Sequence, residues 1–181
     1  MLRYLSSLFR PNSHRIDTPV KPDFDKNHSC RYTFALADEL EREHEEILNC
    51  LVLCRQACLS GRYSLVPKFL ADFRSILFSH LIKERTILYQ ELKSHISDDD
   101  TLKSIRAFKH EMELFQGDLT SFILKWREEE TVKSKTASFL KELNRIGKAL
   151  VFRFAKEKDT IHSMHRLIPQ ISTAFQRKKA G

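Results

Sequence analysis

Glycine and proline are scarce in this chain, four and five among 181 residues. Strand-rich folds place those residues at their many turns, so the shortage excludes a sandwich or barrel and leaves long helices joined by short connections. No apolar run approaches the roughly 18 residues that a membrane-spanning helix needs. Four cysteines are present, Cys30, Cys50, Cys54 and Cys58, and none forms a C-x-x-C pair, which removes zinc-ribbon and thioredoxin-type motifs. Cys50, Cys54 and Cys58 recur every fourth residue and read as small buried hydrophobes on one helix face, suited to a reducing cytoplasm.

A hydrophobic content of 41% over 181 residues supports one well-filled domain. The net charge of +7 invites a nucleic-acid partner. However, the basic residues are dispersed, with one short cluster at Arg177, Lys178 and Lys179, and no aromatic-interleaved basic stripe of the kind single strands prefer. Solvated helix faces are the expectation, and direct nucleic-acid binding is not. Residues 1–31 read as an N-terminal arm. Its first ten residues are basic and amphipathic, no acid precedes Asp17, which gives a faint transit-peptide character, and Pro11, Pro19 and Pro22 mark a linker. Residues 32–168 hold the helices, and 169–181 form a short basic tail after the breaker Pro169.

Hydrophobic spacing predicts four helices. The first runs over 32–60, with Leu36, Leu40, His44, Ile47, Leu48, Leu51, Cys54 and Cys58 inward and Gly61 as its left-handed stop. Its outer face, Glu39, Glu41, Glu43, Glu45 and Glu46, is acidic. The second, over 64–92, is capped by Ser64 and turns Phe69, Leu70, Phe73, Ile76, Leu77, His80, Glu84, Ile87 and Leu88 inward. The third starts at the acidic cap Ser97 and Asp98–Asp100 and reaches Trp126, with Leu102, Ile105, Phe108, Met112, Phe115, Leu119, Phe122 and Ile123 inward. The fourth spans 131–165 and carries the clearest stripe, Phe139, Leu143, Ile146, Leu150, Phe154 and Ile161. Together they predict an all-α fold, an up-down-up-down four-helix bundle.

Five polar residues fall on these inward lines: His44, His80, Glu84, Arg153 and Glu157. Charges facing a core need partners, because desolvating an unpaired charge is prohibitive. His80 and Glu84 are i, i+4 neighbours, as are Arg153 and Glu157. The Arg-before-Glu order is the weaker local orientation, so Arg153 is expected to reach across the bundle to Glu84.

His44, His80-x-x-x-Glu84, His110 and Glu157 resemble the ligand pattern of hemerythrin-like cation-binding domains. That resemblance implies a di-iron centre handling O2, NO or iron, with those five residues as ligands. The pattern departs at Arg153, which stands where a histidine would ligate and cannot bind a metal. It departs again at His110, which points opposite the Phe108–Met112–Phe115–Leu119 line.

Asp72-Phe73, Leu77, Leu81 and Leu88-Tyr89 are similar to the second helix of the regulator-of-sigma-D family of bacterial anti-sigma proteins. Phe139, Leu143, Ile146-Gly147, Ala149-Leu150, Arg153-Phe154, Glu157 and Ile161 are similar to its fourth, and Arg42 and His44 fall in step on the first. This resemblance covers about residues 36–165 and accommodates Arg153. It implies a cytoplasmic, non-enzymatic regulator that binds the primary sigma factor of RNA polymerase and withholds it, with no metal or other cofactor. The acidic face of the first helix, Glu39, Arg42, Glu43 and Glu46, is the expected partner contact.

Overall fold

The structure, a computed structural model, describes residues 29–96 and 98–162, with side chains from residue 36 onward apart from that of His95. Most of the expected arm, the cap Ser97, the last residues of the fourth helix and the basic tail lie outside the described residues. All regular structure described is helical. Helix α1 spans Ser29–Leu59, starting within the expected arm, and a 3-10 turn at Tyr63–Leu65 leads to α2, Val66–Lys83. A π-turn, Glu84–Leu88, joins α2 to α3, Tyr89–His95. Helix α4 covers Asp99–Lys125, and α5 is the short piece Glu129–Ser134. Helix α6 covers Thr136–Glu157 and passes into a second π-turn, Lys158–His162.

The helix ends follow local chemistry. Gly61 takes φ +72° after α1, and Arg62 N–H donates to Ala57 O at 2.8 Å, satisfying a terminal carbonyl as a left-handed stop requires. Asp98 caps α4: its carboxylate accepts from Thr101 N–H at 2.8 Å, and Asp99 and Asp100 complement the helix dipole. Ser64 does not cap the second helix. It sits inside the 3-10 turn with no side-chain cap bond there, and Pro67 occupies the first turn of α2. The expected fourth helix is also broken, at Lys135, so its first residues form the separate α5.

Cross-helix pairs run in opposite sense along neighbouring helices. Glu43 meets His80 while Glu39 meets Lys83, and Lys158 meets Glu41 while Gly147 approaches Leu51. On α4 and α6, Lys125 pairs with Glu142, Arg145 with Asp118 and Lys156 with Glu111.

The apolar interior forms two clusters. The larger holds Ile47, Leu51, Leu77, Leu81, Met112, Leu150 and Phe154 among others. The smaller holds Leu36, Leu40, Leu88, Tyr89, Leu92, Ile105, Phe108 and Ile161. The change from one to the other falls between Leu40 and Ile47 on α1, between Leu81 and Leu88 along the second helical run, and between Phe154 and Ile161 on the last. Those three gaps contain His44, Glu84 and Glu157. A polar layer therefore separates two apolar ones.

Candidate functional site

Three helical runs supply the polar layer: His44 from α1, His80 and Glu84 from α2 and its π-turn, and Glu157 and His162 from α6 and its π-turn. All five are buried. His44 Nε2 lies 3.2 Å from His80 Nε2 and 3.8 Å from Glu157 Oε2. His80 Nε2 is 3.6 Å from Glu84 Oε1, and His162 Nε2 is 3.5 Å from Glu157 Oε1. One ligand atom each from His44, Glu84, Glu157 and His162 can be chosen so that all lie within 4.8 Å of one another.

Two imidazoles are oriented from behind. His80 Nδ1 lies 3.1 Å from Glu43 Oε2, whose carboxylate also holds Lys83. His162 Nδ1 faces Glu41 Oε1 at 3.6 Å, long for a hydrogen bond, and Glu41 holds Lys158 at 2.7 Å. A Lys–Glu–His series thus approaches the layer from each side and leaves Nε2 directed into it. Metal-binding histidines are characteristically held this way, by a carboxylate on the far nitrogen. His44 is positioned by packing: its ring stacks on Phe154, centroids 3.8 Å apart and planes 10° from parallel.

The electrostatics divide the histidines. Burial, with His80 and then His162 beside it disfavouring a further positive charge, pushes the His44 pKa down to about 2, so its ring is a neutral acceptor. Burial also acts to lower that of His80, but its hydrogen bond to Glu43 and the negative charge of Glu84 beside it outweigh this and raise it to about 9. In the metal-free site His80 therefore donates to His44. His162 is held below the usual histidine range by burial, against the pull of Glu84 and Glu41. Burial tends to raise the Glu43 carboxyl, yet His80 and Lys83 bring it below the ordinary value. Glu84 Oε1, Glu157 Oε1 and both ring nitrogens of His162 are buried without a hydrogen-bond partner. Orphaned polar atoms at that depth are costly. They converge here, and their donor types suit a first-row transition ion bound at about 2.0–2.2 Å. The residues fit such an ion.

Four of the five inward polar residues come together as the sequence suggests; Arg153 does not join them. Its guanidinium carbon lies 3.2 Å from the centroid of the Phe108 ring, and Nη1 is 3.7 Å from Glu111 Oε2 on α4. No ion pair with Glu84 forms, because the Phe108 face and Glu111 lie nearer on the adjacent helix. His110 is 71% exposed beside Glu113, as its position on α4 predicts, and takes no part. His162 was missed. Five residues beyond Glu157, it would lie about 140° away on an α-helix, and only the π-turn returns it to the same face.

The acidic face of α1 is also rearranged. Glu39 and Glu43 both pair with Lys83, and Glu41 is drawn to Lys158 and His162, so these three are partly buried. Glu45 and Glu46 remain exposed, the latter beside Arg42. No helix among the described residues is long and apolar enough to cross a membrane. No protein-family model, curated protein or solved structure matches the chain at a significant level.

Proposed function

We propose that the protein is a metal-holding helical bundle of the non-haem iron kind, serving to sense or handle O2, NO or iron. One observation carries this reading: three imidazoles and two carboxylates converge in a buried layer, two of the imidazoles with a carboxylate behind them. The opposed cross-helix pairs support an up-down-up-down four-helix arrangement, in which such sites form between facing helices. His44, His162, Glu84 and Glu157 would hold the ion, and His80, hydrogen-bonded to Glu43, stands at the same place. Iron bound there would supply one-electron chemistry and affinity for diatomic gases. The chain contributes imidazole and carboxylate donors, a carboxylate behind each of His80 and His162, and an apolar cluster on each side.

The test is elemental analysis of protein expressed with added iron, followed by thermal melts with and without a chelator. Bound iron, and a thermal midpoint that falls on its removal, are the expected results, since an ion bound only by the folded state stabilises it by mass action. Absence of bound iron together with an unchanged midpoint overturns the reading.

A second reading is favoured by the surface. Phe152 is 74% exposed and Val151 beside it is also exposed on α6, while Leu114 and Leu124 are exposed on α4. Large exposed apolar side chains suit a protein partner. The similarity to anti-sigma proteins names that partner as the primary sigma factor, sequestered in the cytoplasm without catalysis. The residues behind that similarity, such as Phe139, Leu143, Ile146 and Leu150, are buried packing residues, so they speak to the bundle more than to its partner. Purified sigma factor should bind at physiological salt and lose affinity to Phe152→Ala. Absence of a complex at micromolar concentration removes this reading.

A further inference from the structure

Resting on the metal reading above, we infer that the polar layer takes one divalent first-row cation per chain and has no place for a second. Distances give the first reason. An ion about 2.0–2.2 Å from each donor spreads opposite donors by at most about 4.4 Å. Two ions about 3.5–4 Å apart would hold their outermost donors about 8 Å from each other. His44, Glu84, Glu157 and His162 offer atoms all within 4.8 Å. That is slightly wider than the donors of one bound ion and far short of the span two ions need.

Charge gives the second reason. Bound ligands are deprotonated, so Glu84 and Glu157 bring two negative charges that balance one divalent cation. The next nearest carboxylates are already engaged: Glu43 with His80 and Lys83, and Glu41 with Lys158. Arg153, 8% exposed along its side chain, adds a positive charge nearby. A second divalent ion would leave its charge uncompensated in a desolvated layer.

The third reason is the source of the ligands. Carboxylate-bridged two-metal bundles draw ligands from all four helices. Here α4 turns Phe108 and Met112 inward at the level of the layer, and its histidine, His110, lies on the surface.

The full chain, stripped with a chelator, is titrated without oxygen with Co(II), and separately with Fe(II). Visible absorption follows cobalt, and elemental analysis after gel filtration follows both. A plateau at one ion per chain is expected. Loss of at least about 100-fold in affinity is expected in Glu157→Gln and His162→Ala, and loss of about 10- to 100-fold in Glu41→Gln, which acts through His162. A plateau at two ions overturns this inference and leaves the metal reading standing. Absence of binding by either ion overturns both. One ion bound with unchanged affinity in both Glu157→Gln and His162→Ala also overturns it, by placing the ion elsewhere.

Discussion

Glu157 and His162 stand five residues apart, and the π-turn between them brings Glu157 Oε1 to 3.5 Å from His162 Nε2. A π-turn amounts to one extra residue in an α-helix, and single turns of this kind concentrate at functional sites. Glu84 opens the other such turn, at the same layer, after a regular i, i+4 step from His80. Each of the two π-turns among the described residues thus begins at a carboxylate of the polar layer or the residue after it.

Deleting exposed Asp159 should turn the second π-turn into α-helix and make Glu157 and His162 i, i+4 neighbours, which still share a face. The expected outcome is a folded protein with a thermal midpoint no lower than wild type and Co(II) affinity within about tenfold. Inserting an alanine after Asp159 should instead carry His162 out of the layer and reduce affinity much further. Absorption titration of both variants with Co(II) checks the pair.

Arg153 is buried, its three guanidinium nitrogens lack hydrogen-bond partners, and its nearest carboxylate, Glu111, is 56% exposed. Its value to the fold therefore lies in filling space against Phe108 and in the cation–π contact. Arg153→Ala should cost about 2–4 kcal/mol through the cavity and the lost contact. Arg153→Met, which keeps the stem, should stay within about 1 kcal/mol of wild type, as apolar replacements of buried ions often do. Urea melts at neutral pH compare the three.

The metal-free protein should lose stability as pH rises from 7 to about 9.5. His80 titrates near 9 in the fold, above its ordinary value of 6.5. Its contribution is therefore complete below pH 6.5 and fades as pH climbs through 9, by an amount of order 2 kcal/mol. His44 acts oppositely: held down to about 2, it stabilises above pH 6.5, and that contribution shrinks as pH falls. Denaturant melts of chelator-treated wild type and His80→Gln across this range test the assignment. The alkaline slope should disappear in the variant.

The cysteine row should be chemically quiet. Burial, with Asp72 and Glu46 nearby, pushes the Cys50 thiol up to about 11, and Cys54 and Cys58 are also raised by burial. Few thiolates are then present at neutral pH. In the folded protein at pH 7.5, peptide-level mass spectrometry should find these three cysteines largely unmodified by iodoacetamide after an hour. In urea they should alkylate fully.

What the sequence determined by itself is the helices and the inward position of five polar residues, His44, His80, Glu84, Arg153 and Glu157. Apolar side chains at three- and four-residue steps place Leu36, Leu40, Ile47 and Leu51 on one face, and His44 falls on the same line. The rule holds for His80 and Glu84 beside Leu77 and Leu88, and for Glu157 between Phe154 and Ile161. It depends only on local winding, which the chain carries in its own spacing. Where winding changes, the rule fails, so His162 was hidden until the π-turn was seen. Side-chain destinations were hidden too. A periodic pattern gives the direction in which Arg153, Glu41 and Glu43 leave their helices and cannot say what stands opposite. Phe108 and Glu111 drew Arg153 away from Glu84, while Lys83 and Lys158 folded part of an acidic face into support for two histidines. Those choices belong to the tertiary structure, because they depend on which residues neighbouring helices present at the same height.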